Sequence, residues 1–420
     1  MTPAVSPVDE FAERMEKCLP AGFSGGIGLA VSGGSDSTAL LHLAHSYATS
    51  RDIRLCAMTV DHGLRPEAGG EAKKVAEQCA RLGIGHETAR WDNWDGRGNL
   101  QNQARAARLR IISDWAKSNG LGVVALGHTL DDQAETVLLR LARGSGVDGL
   151  SAMADRRQSH GVTWVRPLLE FRRQDLRAWL RANQISWAED PSNDDPKYDR
   201  VRVRNALKVL DDIGVSPERL AGVASRMRSA REVLEMATQS AARDCATVRH
   251  GAVELRLGPY LGQAYEVRRR LLAHALRWVG LADYAPRQAS LDAAMNALES
   301  GQTTTLHGCL IMASGDQCLI AREPAGAAGA TASIGDVWDS RWHVTGPNGV
   351  GLEVRCLGET GLKSCPDWRD CGVPRAVLLA SPAVWSGDRL VSAPLAGLPR
   401  GYKARLVRRE NDFESSILTH

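Results

Sequence analysis

The chain has 420 residues, with 52 Lys plus Arg against 49 Asp plus Glu and a formal net charge of +3. A hydrophobic share of 43% and a charged share of 24% exclude a disordered, collagenous or coiled-coil chain. They leave room for two or three domains, each with its own core. The charge does not announce a nucleic-acid partner, yet 44 of the 52 basic residues are Arg, the side chain suited to planar contact with phosphate. Nine cysteines, none at Cys-x-x-Cys spacing, write neither a zinc ribbon nor a thioredoxin-like site. The N-terminal segment mixes acids and bases without an apolar stretch, and no run approaches the ~20 apolar residues of a membrane span. A cytoplasmic protein with no membrane partner is the expectation.

In chain order, short apolar runs alternate with amphipathic segments up to about Leu210. IGLAV (27–31) precedes TALLHLAHSYA (38–48), and RLCAMTV (54–60) precedes GEAKKVAEQCARLG (70–83). A polar segment containing HETARW (86–91) leads into LQNQARAARLRIISDWAKS (100–118). LGVVALG (121–127) then precedes DDQAETVLLRLARG (131–144), and WVRPLL (164–169) precedes RRQDLRAWLRAN (172–183). This alternation predicts βαβ units and an α/β, doubly wound parallel sheet, with ligands beyond the carboxyl ends of the strands. From Ser216 helices dominate, closed by a short β-like passage over 303–323, and AGAAGATASIG (325–335) reads as a linker. Beyond it GLEVRCLG and PRAVLLA with DRLVSAPL read as short strands. The division is 1–215, the α/β domain; 216–325, mainly helical; and 335–420, a small β-rich domain.

Four stretches carry chemistry. Ser32-Gly33-Gly34-Ser35-Asp36-Ser37 lies between a strand and a helix, where glycines let an anion approach and N–H and hydroxyl groups can bind phosphate oxygens. Without Gly-Lys-Ser/Thr it is not a Walker loop, and Asp36 beside phosphates points to Mg²⁺; a capped tight turn explains the same residues. Asp61-His62-Gly63-Leu64-Arg65, at the end of the next strand, reads either as a nucleotide contact through His62 and Arg65 or as a plain turn. In Gly127-His128-Thr129-Leu130-Asp131-Asp132-Gln133-Ala134-Glu135, Thr129 is a natural N-cap. Asp131, Asp132 and Glu135 share one helix face, able to take a metal or an ammonium group, or simply a well-capped helix start. Arg200, Arg202 and Arg204 alternate after WAEDPSN (187–193): an extended segment aims them one way, a helix fans them out, and solvated charges are the plain alternative.

The order SGGSDS, DHGLR, GHTLDDQAETVLLRLARGSGVDGL, RPLL and WAEDPSN over 32–205 resembles the bacterial tRNA(Ile)-lysidine synthases, within the PP-loop ATP pyrophosphatase superfamily. The likeness is looser over 267–323 and 350–410. DRVRVRN stands where the family more often has an RNRIR-like arrangement. The resemblance implies a ligase that adenylates C2 of the wobble cytidine of a tRNA(Ile) with anticodon CAU, using ATP with Mg²⁺. L-lysine then displaces AMP to leave lysidine, switching decoding from AUG to AUA. Carried onto this sequence, Ser32 to Ser37 with His62 and Arg65 bind ATP, Asp36 holds Mg²⁺, and Asp132 and Glu135 receive lysine. Asp36, Asp132, Glu135 and Arg204 form the catalytic set, and Arg140, Arg200, Arg202 and Arg204 meet tRNA or ATP phosphates. Oligomeric state stays open, with a homodimer as one option.

Three rivals remain at this stage. A tRNA thiolase needs a reactive cysteine near the loop, and neither Cys56 nor Cys79 lies in a motif that supplies one. Amidotransferase-type synthetases would not need the C-terminal modules, and a non-catalytic binding module does not call for three carboxylates. Thr136 to Leu210 holds 14 basic residues against nine acids, so the small net charge sums patches of opposite sign.

Overall fold

A computed structural model describes residues 6–61, 68–91, 100–189, 197, 199–282, 284–409 and 412–418. The chain divides into two units, Met1–Arg231 and Glu232–His420.

In the first unit the elements run α1 (Pro7–Cys18), β1 (Ile27–Ala30), α2 (Ser35–Thr49), β2 (Leu55–Asp61), α3 (Ala68–Arg81), β3 (Gly85–Arg90), α4 (Leu100–Ser118) and β4 (Val123–Leu126). Then come α5 (Leu130–Leu141), α6 (Val147–Leu150), β5 (Arg156–Ser159), β6 (Val162–Val165), α7 (Arg173–Ala182), α8 (Asp199–Asp211) and α9 (Pro217–Cys245), within which the unit boundary falls. The sheet order is β3-β2-β1-β4-β6-β5. β1 pairs in parallel with both β2 (Ile27↔Leu55) and β4 (Ile27↔Val123). β1 and β4 are buried throughout, as continuous apolar strands in the middle of a doubly covered sheet should be. One face packs Phe11, Met15, Leu40, Leu41 and Leu43 with Leu176 and Leu180; the other packs Ile112, Trp115 and Trp164. Helices therefore cover both faces, the doubly wound arrangement expected. The chain builds outward from β1 through β2 to β3, then returns to start β4 on the other side. That reversal opens a crevice at the carboxyl ends of β1 and β4.

One departure from a purely parallel sheet is β5, which pairs antiparallel with β6 at the edge. Its turn is His160-Gly161, both with positive φ (53° and 76°), as a two-residue type I′ hairpin requires. The same His-Gly device closes two hairpins of the second unit, at His250-Gly251 and His307-Gly308.

The second unit contains β7 (Ala246–Arg249), β8 (Ala252–Arg256), α10 (Leu257–Leu261), α11 (Tyr265–Gly280), α12 (Gln288–Glu299), β9 (Thr304–Leu306), β10 (Cys309–Ser314) and β11 (Gln317–Arg322). The long helices α11 and α12 pack through Leu271, Leu272, Leu276, Leu291 and Leu298 on a five-stranded sheet, β7-β8-β11-β10-β9. The β-like passage over 303–323 is thus three strands of a larger sheet, joined by a hairpin from 246–256. Two three-stranded sheets follow, one containing Leu352–Cys356. PRAVLLA, expected as a strand, holds a short helix instead, Arg375–Leu379, entered from Pro374 at its N-cap. A short apolar run does not distinguish a buried strand from one buried helical turn. Among the described residues no helix is long and apolar enough to cross a membrane.

Candidate active site

The loop 32–37 connects β1 to α2 at the crevice. Gly33 has φ +88°, a conformation that side chains rarely adopt, and Gly34 is the helix N-cap without a side-chain bond. Hydroxyls tie the turn internally. The Ser32 N–H donates to Ser37 Oγ at 3.1 Å, Ser37 Oγ to the Gly34 carbonyl at 3.0 Å, and Thr38 Oγ1 to the Gly33 carbonyl at 3.3 Å. The Gly33 carbonyl also accepts the Ala188 N–H at 2.8 Å, which ties the segment 187–189 to the loop. The first-turn N–H groups of α2 have no partner within the helix, the general arrangement of a helix N-terminus that suits an anion.

The second wall comes from the β4–α5 connection. Gly127 is the point of closest approach: a Cβ there would lie 3.0 Å from the Asp36 carbonyl oxygen and 3.1 Å from Ser37 Cα. Thr129 caps α5 in a reciprocal capping box with Asp132, as its position in the sequence suggests. The Thr129 N–H and hydroxyl reach Asp132 Oδ2 at 2.9 and 3.0 Å. Asp132 is 6% exposed and Glu135 fully buried, so both carboxylates face the protein interior instead of a solvated helix start.

What neutralises them is Arg173, the first residue of α7. Its Nε donates to Asp36 at 2.8 Å, its Nη2 to Asp132 at 3.1 Å and its Nη1 to Glu135 at 3.4 Å. Its backbone N–H donates to Asp131 at 2.7 Å. Arg204 adds a bond from Nε to Glu135 Oε1 at 2.6 Å, while Glu135 Oε2 is buried without a hydrogen-bond partner among the described residues. Arg177 Nε reaches Ser35 Oγ at 3.1 Å, and Ser35 Oγ in turn donates to Asp36 at 3.0 Å.

These environments split the carboxyl groups. Burial pushes Asp36 up, against the attraction of Arg173. Burial also acts to raise Asp132, but Arg173, His128 and the Thr129 N–H outweigh it and hold that carboxyl below its ordinary value. Arg173 loses hydration yet gains more from Asp132, Asp36 and Glu135, so its charge is held more firmly than usual. Burial pushes the Cys79 thiol up to about 11, the opposite of what a nucleophilic thiolate needs.

Of the three alternating arginines, helix α8 places 200 and 204 on one face and 202 on the other. Arg204 bonds Glu135 and the charge of Arg200 reaches Asp132, whereas Arg202 is exposed and paired with Asp199. Arg140 instead gives Nη1 to the carbonyls of Gly149 at 2.7 Å and Ala152 at 3.1 Å, bracing the turn around α6. His62 and Arg65, like 190–193, lie outside the described residues.

Arg173, Arg177 and Gly127 are the residues that the sequence reading passed over. Arg173 carried a signal: two arginines open a helix whose N-terminus disfavours cations. A cation there implies anions nearby strong enough to outweigh the helix dipole.

A PP-loop domain family matches residues 8–210. The chain is 48% identical over 394 residues to the tRNA(Ile)-lysidine synthase of Ruegeria pomeroyi, a match covering 94% of each protein. It is 35% identical over 381 residues to that of Wolbachia pipientis wMel, covering 88% of each. Among solved structures, a U34-tRNA thiolase from Methanococcus maripaludis is similar at 18% identity and a TM-score of 0.44, over 52% of this chain and 78% of that one.

Proposed function

Because this chain belongs to the tRNA(Ile)-lysidine synthase family of PP-loop enzymes, we propose that it joins L-lysine to C2 of the wobble cytidine in a tRNA(Ile) with anticodon CAU. In the first step the cytidine C2 oxygen attacks the α-phosphorus of ATP, and the bond to pyrophosphate breaks. In the second, the lysine ε-amine attacks C2, the C2–oxygen bond breaks, and AMP leaves with that oxygen. The amine loses a proton as it attacks, and in this reading Glu135 or Asp132 takes it.

The observation that carries this reading is the set of carboxylates beside a phosphate loop. Arg173 joins Asp132 and Glu135 to Asp36 of the loop 32–37, and among the described residues Glu135 Oε2 is a buried acceptor without a hydrogen-bond partner. An ammonium group would give that oxygen a charged donor. The loop 32–37 receives the ATP phosphates, with His62 and Arg65 as further ATP contacts. Arg204 and Arg200 stabilise the negative charge of the activated cytidine or departing phosphate.

Mg²⁺ is usually held by one or two carboxylates together with substrate phosphates. Among the described residues no group of three or more ligating side chains is arranged for a metal. Asp36, a single carboxylate at the phosphate loop, therefore fits an ion that arrives with ATP, where it would neutralise phosphate charge.

The regions 216–325 and 335–420 supply further tRNA contacts in this reading, and Arg202 offers an exposed phosphate contact. Arg140, committed to two carbonyls, is left out of the phosphate set. A cytoplasmic setting suits a tRNA substrate. The test incubates the full chain with tRNA(Ile) transcript, ATP, Mg²⁺ and labelled L-lysine. A lysine-bearing cytidine should form together with AMP and pyrophosphate. Pyrophosphate release from ATP without tRNA would instead indicate a small-molecule synthetase.

A further inference from the structure

Each nitrogen of the Arg173 guanidinium serves a different carboxylate: Nε serves Asp36, Nη2 Asp132 and Nη1 Glu135. Asp36 belongs to the nucleotide loop, and the other two belong to the pair assigned to lysine. A single side chain thus spans both half-sites. We propose that Arg173 is a positioning residue that couples nucleotide binding to lysine binding, so that each substrate tightens the site for the other. The idea rests on the lysine reading above.

The argument is one of charge. Arg173 divides a single positive charge among three carboxylates, and Arg204 adds a second at Glu135 Oε1. ATP phosphates arriving at 32–37 offer the same guanidinium a more highly charged acceptor. Each N–H that turns from a carboxylate to a phosphate oxygen leaves Asp132 or Glu135 less compensated. The lysine ammonium then makes good the deficit, with Glu135 Oε2 as its open acceptor. Linkage requires the effect to be reciprocal: lysine tightens nucleotide by the factor that nucleotide tightens lysine. A forked guanidinium is needed, because a lysine side chain would keep the charge without three fixed donors.

Calorimetric titration of L-lysine into the full chain tests this, with and without a non-hydrolysable ATP analogue plus Mg²⁺. For the wild type, lysine affinity should rise about tenfold with the analogue, within the usual range of such couplings. In Arg173→Gln the ratio should fall to near one, and in Arg173→Lys to no more than about a third of the wild-type value. A merely structural role would weaken lysine binding in both states and leave the ratio unchanged. Should Arg173→Gln fail to fold, Arg173→Lys carries the test. An unchanged ratio in a folded variant, or equal affinities in the wild type, overturns the coupling alone. Absence of lysine binding by the wild type in either state overturns the lysine assignment as well.

Discussion

Arg173 Nη2 lies 3.1 Å from Asp132 Oδ1, although the two residues are 41 positions apart in the chain. The same carboxylate spends its other oxygen on the start of its own helix, accepting from the Thr129 N–H at 2.9 Å. One side chain thus fixes a helix terminus and holds Arg173. Because the helix fixes Asp132 and Asp132 holds Arg173, the loop 32–37 is held through Asp36 as well.

Glu135→Gln should separate the two chemical steps. The amide keeps the shape but cannot accept the amine proton, so lysine transfer should fall at least about a hundredfold. With adenylation assigned to the loop 32–37 in the proposed reaction, pyrophosphate should still appear in a single turnover with tRNA. Quenched-flow measurement of pyrophosphate beside labelled-lysine incorporation checks this. Equal loss of both would assign Glu135 to the whole site and not to the amine.

Asp132 gives a pH prediction with a definite sign. Its folded carboxyl is held below the ordinary value because Arg173, His128 and the Thr129 N–H together outweigh the burial that would raise it. A depressed acid stabilises the fold above its unfolded value, about pH 4, and that contribution fades as pH falls through the lower folded value. Asp132→Asn should therefore cost about 2 kcal/mol at neutral pH, and the gap from the wild type should narrow below about pH 4. Thermal unfolding midpoints measured from pH 7 to 3 report the gap. A constant gap would mean that shape is lost instead of charge.

Gly127→Ala tests how closely the two loops must approach. Its Cβ would meet the Asp36 carbonyl at 3.0 Å and Ser37 Cα at 3.1 Å, both backbone atoms that cannot rotate away. The loops must separate, at a cost of about 1–3 kcal/mol. Because the displaced backbone carries the phosphate loop, KM for ATP should rise more than KM for lysine. Steady-state kinetics with each substrate varied in turn distinguish this from general destabilisation, which would leave both constants alone.

The parts of this molecule legible in its sequence are those where local and tertiary demands agree. IGLAV and LGVVALG are apolar because central parallel strands are buried on both faces, and Thr129 reads as a cap because it is one. Strand β3, GHETAR, was read only as a polar segment because an exposed edge strand has no apolar run to announce it. Strand β5, RRQS, hides in the same way, although the His160-Gly161 turn beside it was a usable sign. The direction of Arg200, Arg202 and Arg204 was left open because alternation in sequence does not choose between strand and helix. α8 decides it by putting residues four apart on one face. Arg173 was missed because the carboxylates that explain it lie far away in the chain, in residues that each had a sufficient local explanation.

Arg202 and Arg140 make the last contrast, two arginines of one expected role and different surroundings. Arg202 is 65% exposed at its side chain and paired with Asp199 across the helix surface, an ion pair of small value. If it meets a tRNA phosphate, Arg202→Ala should weaken tRNA binding at low salt and reduce the slope of log K against log salt by about 1. Arg140 holds the Gly149 and Ala152 carbonyls, which lose that donor when the guanidinium is removed. Arg140→Met should therefore lower the unfolding midpoint, by about 1–3 kcal/mol of stability, with the salt slope unchanged. Filter binding across a salt series, run beside thermal unfolding, reads both. A changed slope in Arg140→Met would return that residue to the RNA surface, and an unchanged one in Arg202→Ala would remove Arg202 from it.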